Sequence, residues 1–395
     1  RLRATAFGRT LPGPAAHEQL RGERSRLREL QAMRDPMAHD ARLQEEIQQQ
    51  ERRLQNLARQ IRGAGGTRST LDLAQLFASL DEAQLVEFVE HRGTFGAITV
   101  TSGRCRFHEL TPLNAIQDAI ETAQFSLQRA GREGASPASA AAAFQSFDDC
   151  MQTIDDLLVR PLRLTSDRVL LVPSGILQNV AWSALPSLAH RNLSITPSAH
   201  RWSLRRPGRT ATGEVRLIVG PDLQYGEAEL AVVAARYATS KQLSGERATA
   251  SAALALLDHA GIAHVSCHGS FRSDSPMFSS LHMFDGALSV YDLEELQSPP
   301  DLVVLPACNA AMTDARSGEQ VVGTTSALLG IGVRTVIAPM STINDRATVA
   351  VMARFHAALS DCGDGAQALR SVREEIPADA EPATAAVAAS LVCME

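Results

Sequence analysis

One lysine, no Cys-x-x-Cys pair, no surplus of positive charge and no long apolar run mark this 395-residue sequence. Each shortage excludes something. Without an apolar stretch of about 18 residues there is no membrane-spanning helix to expect. Arg1-Leu2-Arg3 does not begin the basic-then-apolar pattern of a secretory leader. A net charge of −6 gives no electrostatic reason for a nucleic-acid partner. Lys241 stands alone among the basic residues, which reads as genomic bias rather than function. Six cysteines, at 105, 150, 267, 308, 362 and 393, show no disulfide framework. They are expected to be reduced thiols in a cytoplasm. Neither Gly-x-x-x-x-Gly-Lys nor Gly-x-Gly-x-x-Gly follows an apolar strand, which argues against a nucleotide-binding α/β protein.

What is present suits a globular protein of two or three domains: 45% hydrophobic and 21% charged residues. Residues 15–62 are expected to be helical. Leu43, Ile47, Gln50, Leu54, Leu57 and Ile61 form a heptad seam with one polar position. Leu20, Leu27 and Leu30 make a shorter stripe before a break at Asp35-Pro36. An antiparallel hairpin packed on its own protein fits both stripes, with a partner-binding helix or the end of a helical repeat array as the alternatives. Gly63 to Gly66 reads as a linker, closing a unit of residues 1–66.

Residues 70–207 predict strands at Leu85–Glu90, Gly96–Thr101, Arg104–Leu110 and Arg168–Pro173. Helices are expected at 112–130 and 144–159, split by the small-residue segment 134–143. Nothing here has the residue types of a catalytic centre. Arg201, Arg205, Arg206 and Arg209 read as a solvated linker face, with a phosphate site as the weaker alternative. Residues 211–395 then alternate strand and helix. Short β-branched runs at Val215–Gly220, Ala263–Cys267, Leu302–Pro306 and Thr335–Pro339, with helices between them, indicate a parallel sheet covered on both faces. Functional groups in such sheets gather beyond the carboxyl ends of the strands.

Two of those ends carry chemistry. One strand runs into His268-Gly269 and another into Ala307-Cys308-Asn309. If the strands are neighbours, an imidazole can take the thiol proton and leave a reactive thiolate. The N–H groups of Gly269 and Cys308 could then face a developing oxyanion. Taken alone, a cysteine at the end of a buried strand is usually a small core residue. Cys267 alternates to the face opposite His268, so packing explains it better. A zinc site from His264, Cys267, His268 and Cys308 is disfavoured because an extended strand alternates faces.

Several ordered segments together resemble the CHAT domain, a caspase-like cysteine peptidase family related to separases. They are Val169-Leu-Leu-Val-Pro-Ser-Gly-Ile-Leu-Gln-Asn-Val-Ala-Trp-Ser-Ala-Leu185, Thr196-Pro-Ser-Ala199, Gly220-Pro-Asp222, His264-Val-Ser-Cys-His-Gly269, Leu305-Pro-Ala-Cys308-Asn309, Gly318-Glu-Gln-Val-Val-Gly323 and Gly332-Val-Arg-Thr-Val-Ile-Ala-Pro339. The resemblance spans about residues 70–376. It implies a caspase-like, mainly parallel α/β sheet flanked by helices, with an inactive caspase-like half at 70–207 before the active domain at 211–395. It also implies a cysteine endopeptidase with His268 and Cys308 as its dyad and no cofactor or metal. Further implications are a protein substrate, an activating or sensor protein, and a role as a regulated bacterial defence protease.

Ser174, Pro306 and Asn309 depart from the family's usual residues without removing the dyad. The Gln-Ala-Cys signature of caspases is absent, so aspartate specificity is not implied. Asp314 and Glu319 are candidates for a substrate pocket, with an uncharged residue before the cut slightly preferred. A catalytically silent scaffold, using the hairpin as its binding element, is the competing function. Finally, the segments after His268 and Cys308 have little large apolar surface, with Phe271 and Phe278 read as exposed. That composition predicts a latent protein ordered by a partner.

Overall fold

A computed structural model describes residues 19, 22–27, 29, 30, 33, 41–62, 71–205, 213–270, 276–306, 325–377 and 379–395. The first part supplies α1 (Ala41–Arg62), α2 (Leu73–Leu80), β1 (Gln84–His91), β2 (Thr94–Thr101), β3 (Arg104–Pro112), α3 (Gln117–Gly131), α4 (Pro137–Leu158), β4 (Arg168–Val172), β5 (Asn192–Ile195) and α5 (Ala199–Ser203). The second begins with β6 (Val215–Val219), α6 (Gly226–Ala234), β7 (Ser240–Leu243), α7 (Ala250–Leu257) and β8 (Ile262–Ser266). After it come β9 (Gly269–Ser270), β10 (Ser280–Met283), β11 (Gly286–Ser289), α8 (Val290–Leu293) and β12 (Leu302–Val304). A helix at 325–331, β13 (Thr335–Pro339), α9 (Asp345–Cys362), α10 (Gly365–Glu375), α11 (Pro382–Ser390) and β14 (Leu391–Met394) complete the chain.

Eleven strands among the described residues form one sheet, in the order β3-β2-β1-β4-β5-β14-β13-β12-β8-β6-β7. Pairing is parallel except at β1–β2, β2–β3 and β13–β14. The β5–β14 pairing joins the two parts of the chain into a continuous sheet. Strands β9 to β11 make a separate antiparallel sheet directly after His268.

Alternation along the strands feeds two cores, because successive side chains leave opposite faces. Ala263, Val265, Cys267, Val303, Val336 and Ala338 join one core with residues of α3, α4 and α7. Leu217, Ile262, Leu302, Val304 and Ile337 join the other with Val351, Met352 and Phe355 of α9. Helices therefore cover both faces of the parallel strands, as the β-branched runs predict. Polar caps set the helix starts: Asn344 Oδ1 accepts from Ala347 N at 2.9 Å at the head of α9.

Several expectations need correction. The small-residue segment 134–143 separates the two helices only up to Ser136; from Pro137 it forms the first turns of α4. Ser136 caps that helix and Pro137 opens it, while alanine is the best helix former. Arg201 and Arg205 do not make a solvated face. The Arg201 guanidinium donates to the Leu329 carbonyl, and Arg205 lies 4.0 Å over the Trp202 ring and 3.2 Å from Glu395. Arg206 and Arg209 lie outside the described residues. Phe278 is not exposed but 4% accessible, packed with Tyr291, Leu27 and Leu54. Phe271 lies outside the described residues.

Those last contacts explain the N-terminal helices. Gln50, the polar member of the seam, donates to the Glu23 carbonyl at 2.9 Å and so ties α1 to the helical residues 22–27. Arg24, only 3% exposed, reaches Glu294 at 3.1 Å and Glu295 at 3.2 Å, and sits over Tyr291. The helices pack on α8 and the turn before β10, so the hairpin's seam is used within its own protein. Leu20, the Asp35-Pro36 break, the Ile61 side chain and the 63–66 linker lie outside the described residues.

Candidate active site at the strand ends

The site follows from how β8 ends. His264 and Ser266 share one face of the strand, their side chains 2.9 Å apart, while Val265 and Cys267 join the opposite core. Cys267 is 1% exposed, and burial pushes its thiol up to about 12. At neutral pH it is a protonated packing residue, as expected from its parity. His264 and Cys267 leave opposite faces, so the four-residue zinc set does not converge. Among the described residues, no group of three or more His, Cys, Asp or Glu is placed to hold a metal ion.

His268 is half-buried at the mouth of the sheet. Its backbone is fixed by the small sheet: the His268 carbonyl accepts from His282 N at 2.8 Å, and Gly269 is the register partner of Leu281. Its side chain is fixed from β6. Gly220 follows that strand, donates to the Ser266 carbonyl at 2.8 Å, and passes so close that a Cβ there would stand 2.6 Å from both Cys267 Cβ and the His282 carbonyl oxygen. Only glycine fits such an approach. Two residues on, Asp222 takes a left-handed backbone conformation with φ of 61°. Its carbonyl oxygen lies 3.2 Å from His268 Nε2. A carbonyl can only accept, so Nε2 carries the proton in this contact. In the neutral ring, Nδ1 is then the free base.

Other ionisable groups surround this imidazole. Asp345, at the start of α9, accepts from Tyr225 N at 3.1 Å, and burial holds its carboxyl above the usual range. His282 on β10 is held below its ordinary value by burial and by His268 itself. Strand β12 runs parallel beside β8, with Val304 opposite His264. The two strands that carry the sequence motifs are therefore neighbours, and both end on the same side of the sheet. Cys308, Asp314 and Glu319 lie outside the described residues; His268 and Gly269 lie within them. The Asp222 carbonyl was not foreseen as a partner of His268. Gly220-Pro-Asp222 stands out in the sequence, but a backbone carbonyl has no residue-type signature.

A family model described as the CHAT domain matches residues 148–387. No curated protein matches the sequence. Among solved structures, the Saccharomyces cerevisiae separase–securin complex at 2.6 Å aligns over 81% of this chain and 31% of that one, with 10% identity and a TM-score of 0.58. The 3.0 Å structure of that complex gives 81%, 30%, 9% and 0.59. This chain thus spans under a third of the separase chain, and the likeness is one of fold. The complex of Porphyromonas gingivalis RgpB pro- and mature domains gives a TM-score of 0.41 at 13% identity, covering 72% of this chain and 77% of that one. No helix among the described residues is long and apolar enough to cross a membrane.

Proposed function

Because this chain belongs to the CHAT domain family, whose model covers more than half of it, we propose that it is a cysteine endopeptidase with His268 and Cys308 as its dyad. The observation that carries this reading is the His268 imidazole, bound through Nε2 to the Asp222 carbonyl and so presenting Nδ1 as a base. Register supports the pairing. Val304 is opposite His264, His268 is four residues past His264, and Cys308 is four residues past Val304.

The chemistry would run as follows. The Cys308 thiol gives its proton to His268 Nδ1, and the thiolate attacks the scissile carbonyl carbon. The oxyanion that forms is met by the N–H groups of Gly269 and Cys308. The imidazolium then protonates the leaving amine as the peptide C–N bond breaks, leaving a thioester that water hydrolyses. Residues 211–395 would form the catalytic domain, 70–207 an inactive caspase-like half, and 1–66 the helical hairpin and its linker. Asp314 and Glu319 would border the substrate pocket, with an uncharged residue preferred before the cut. A strict requirement for arginine in a peptide library would contradict that preference.

Separase in the solved complexes is bound to securin. A controlling protein partner for this chain is the corresponding proposal, in the setting of a regulated bacterial defence protease in the cytoplasm. Cys308→Ala and His268→Ala should each abolish cleavage of a co-expressed protein substrate, with the double variant little worse than either. Cleavage by purified Cys308→Ala protein would rule the mechanism out. A folded wild-type protein whose Cys308 shows no enhanced thiol reactivity would favour the silent scaffold.

A further inference from the structure

Strand β9 has only two residues, Gly269 and Ser270. Gly269 directly follows His268, and its N–H is one of the two proposed above to meet the oxyanion. Among the described residues, β9 lies at the edge of the small sheet, with β10 as its one neighbour there. The join consists of two register pairs, Ser280 with Ser270 and Leu281 with Gly269, and of the bond from His282 N to the His268 carbonyl at 2.8 Å. Two residues of pairing are too few to hold a strand alone. Where Gly269 stands is therefore decided by what holds β10.

Strand β10 is held in two ways. Leu281 and Met283, with Leu288 of β11, join the core that contains Val265 and Cys267 of β8. The end that begins at Ser280 is held differently. A 3-10 turn, Pro276–Phe278, comes just before it, and the Phe278 ring meets Tyr291 of α8 edge-on, with centroids 5.0 Å apart. The Ser279 carbonyl accepts from Val290 N at 2.9 Å, and Ser280 pairs with Ser289 of β11. Ser289 in turn caps α8: its N–H donates to Asp292 Oδ2 at 2.8 Å, and Asp292 N donates to Ser289 Oγ at 3.3 Å. These bonds tie Phe278, Tyr291 and the start of β10 into one block.

The N-terminal helices close that block from outside. Leu27 and Leu54 form one buried cluster with Phe278 and Tyr291, and none of the four is more than 4% exposed. Arg24 reaches Glu294 and Glu295, just past α8, and lies over the Tyr291 ring. Undocking the helices would take the two leucines out of the cluster and return aromatic surface to water, which is unfavourable.

We propose that Arg24, Leu27 and Leu54 are positioning residues for the dyad site. Docked on Phe278 and Tyr291, they hold the start of β10, and through it Gly269 and the His268 carbonyl. This inference rests on the dyad reading above and gives the N-terminal helices a part in regulating the site. A protein partner that took the Leu27–Leu54 seam for itself would weaken catalysis without touching the substrate.

Two measurements on the full chain test it. Leu54→Asp puts a charge in the apolar cluster and should undock the helices, which limited proteolysis within 41–62 reads; Leu54→Met keeps the contact and should behave as wild type. Hydrogen exchange then follows the amides of residues 279–283, including His282 N. In Leu54→Asp they should exchange about tenfold faster, while those of 262–266 and 302–304 keep their wild-type rates. Arg24→Glu leaves the leucines in place and should give the same pattern, so the result does not depend on one variant folding. Unchanged exchange at 279–283 in a protein with undocked helices overturns the proposal. Helices that stay docked in both variants overturn it too. The second measurement is steady-state cleavage of the protein substrate. In the undocked variants kcat and kcat/KM should fall together by about tenfold with KM unchanged, because an oxyanion donor acts in the transition state. A rise in KM alone, or an unchanged kcat, overturns the positioning role. Cleavage that survives Cys308→Ala overturns the dyad reading instead, and the exchange measurement still decides whether the helices hold β10.

Discussion

A single missing Cβ, at Gly220, lets the ends of β6 and β8 meet the backbone of β10. Gly220→Ala would put a methyl 2.6 Å from Cys267 Cβ and from the His282 carbonyl, so backbone must move. The expected cost is about 1–3 kcal/mol, as for other overpacked sites, and it is read as a lower melting temperature. Cleavage should fall as well, because the displaced turn carries the Asp222 carbonyl that holds His268. A Gly220→Ala protein with wild-type melting and cleavage would contradict the close approach. Cys267 gives the complementary test. Its buried thiol is pushed up to about 12, so it should resist alkylation at neutral pH. Cys267→Ala should cost about 1 kcal/mol of stability and leave cleavage intact. Parity along an extended strand already separates Cys267 from His268 in the sequence. The Asp222 contact is different: it depends on a left-handed residue and a glycine brought beneath another strand.

Among the elements, the N-terminal helices depend on one buried cation. Arg24 lies between Glu294 and Glu295 and over Tyr291. Arg24→Glu would gather like charges at that spot and should free these helices from α8. Limited proteolysis should then cut within 41–62 faster than in wild type, while the sheet-bearing remainder stays resistant. Equal cleavage rates would mean that the docking does not rest on Arg24. The helices themselves were legible, since Leu54 and Gln50 occupy the inward positions that the heptad predicts. Their docking surface was not, because it is built from Phe278 and Tyr291, more than 200 residues away in sequence. The same distance effect hid β9 to β11. Two to four residues each, they have no periodicity long enough to register and exist because they pair with one another.

Across the whole molecule, the seam at β5–β14 is fastened by Arg168, which reaches Asp364 at 2.8 Å and Glu395 at 3.0 Å. Burial alone would raise the Asp364 carboxyl. The Arg168 charge and N–H donors from Gln367 and Ala366 more than offset this and hold it below the usual carboxylate range. A carboxyl lowered by folding contributes fully above its unfolded value, near about 4. That contribution is lost as pH falls through the folded value. Arg168→Gln should therefore destabilise the protein at pH 7 by about 1 kcal/mol, since the pair is partly exposed. The deficit relative to wild type should shrink below about pH 4. Denaturant melts at pH 7 and pH 3 check this; a deficit equal at both would remove Asp364 from the account.

Short-range information was enough for much of this protein. β-branched runs between helices specify a parallel sheet buried on both faces, and the two motifs fall at the ends of neighbouring parallel strands of that sheet. Strand parity separates a packing cysteine from an imidazole one residue later. All of these depend on residue type and spacing, which a sequence states outright. The adjacency of β8 and β12, the Asp222 carbonyl on His268, the placing of β14 parallel to β5 at the seam and the Glu229–His264–His356–Tyr237 cluster depend on chain segments about 35 to 200 residues apart. Their geometry is fixed only once both cores have closed, because backbone carbonyls and buried polar side chains acquire their partners from packing rather than from neighbours in sequence.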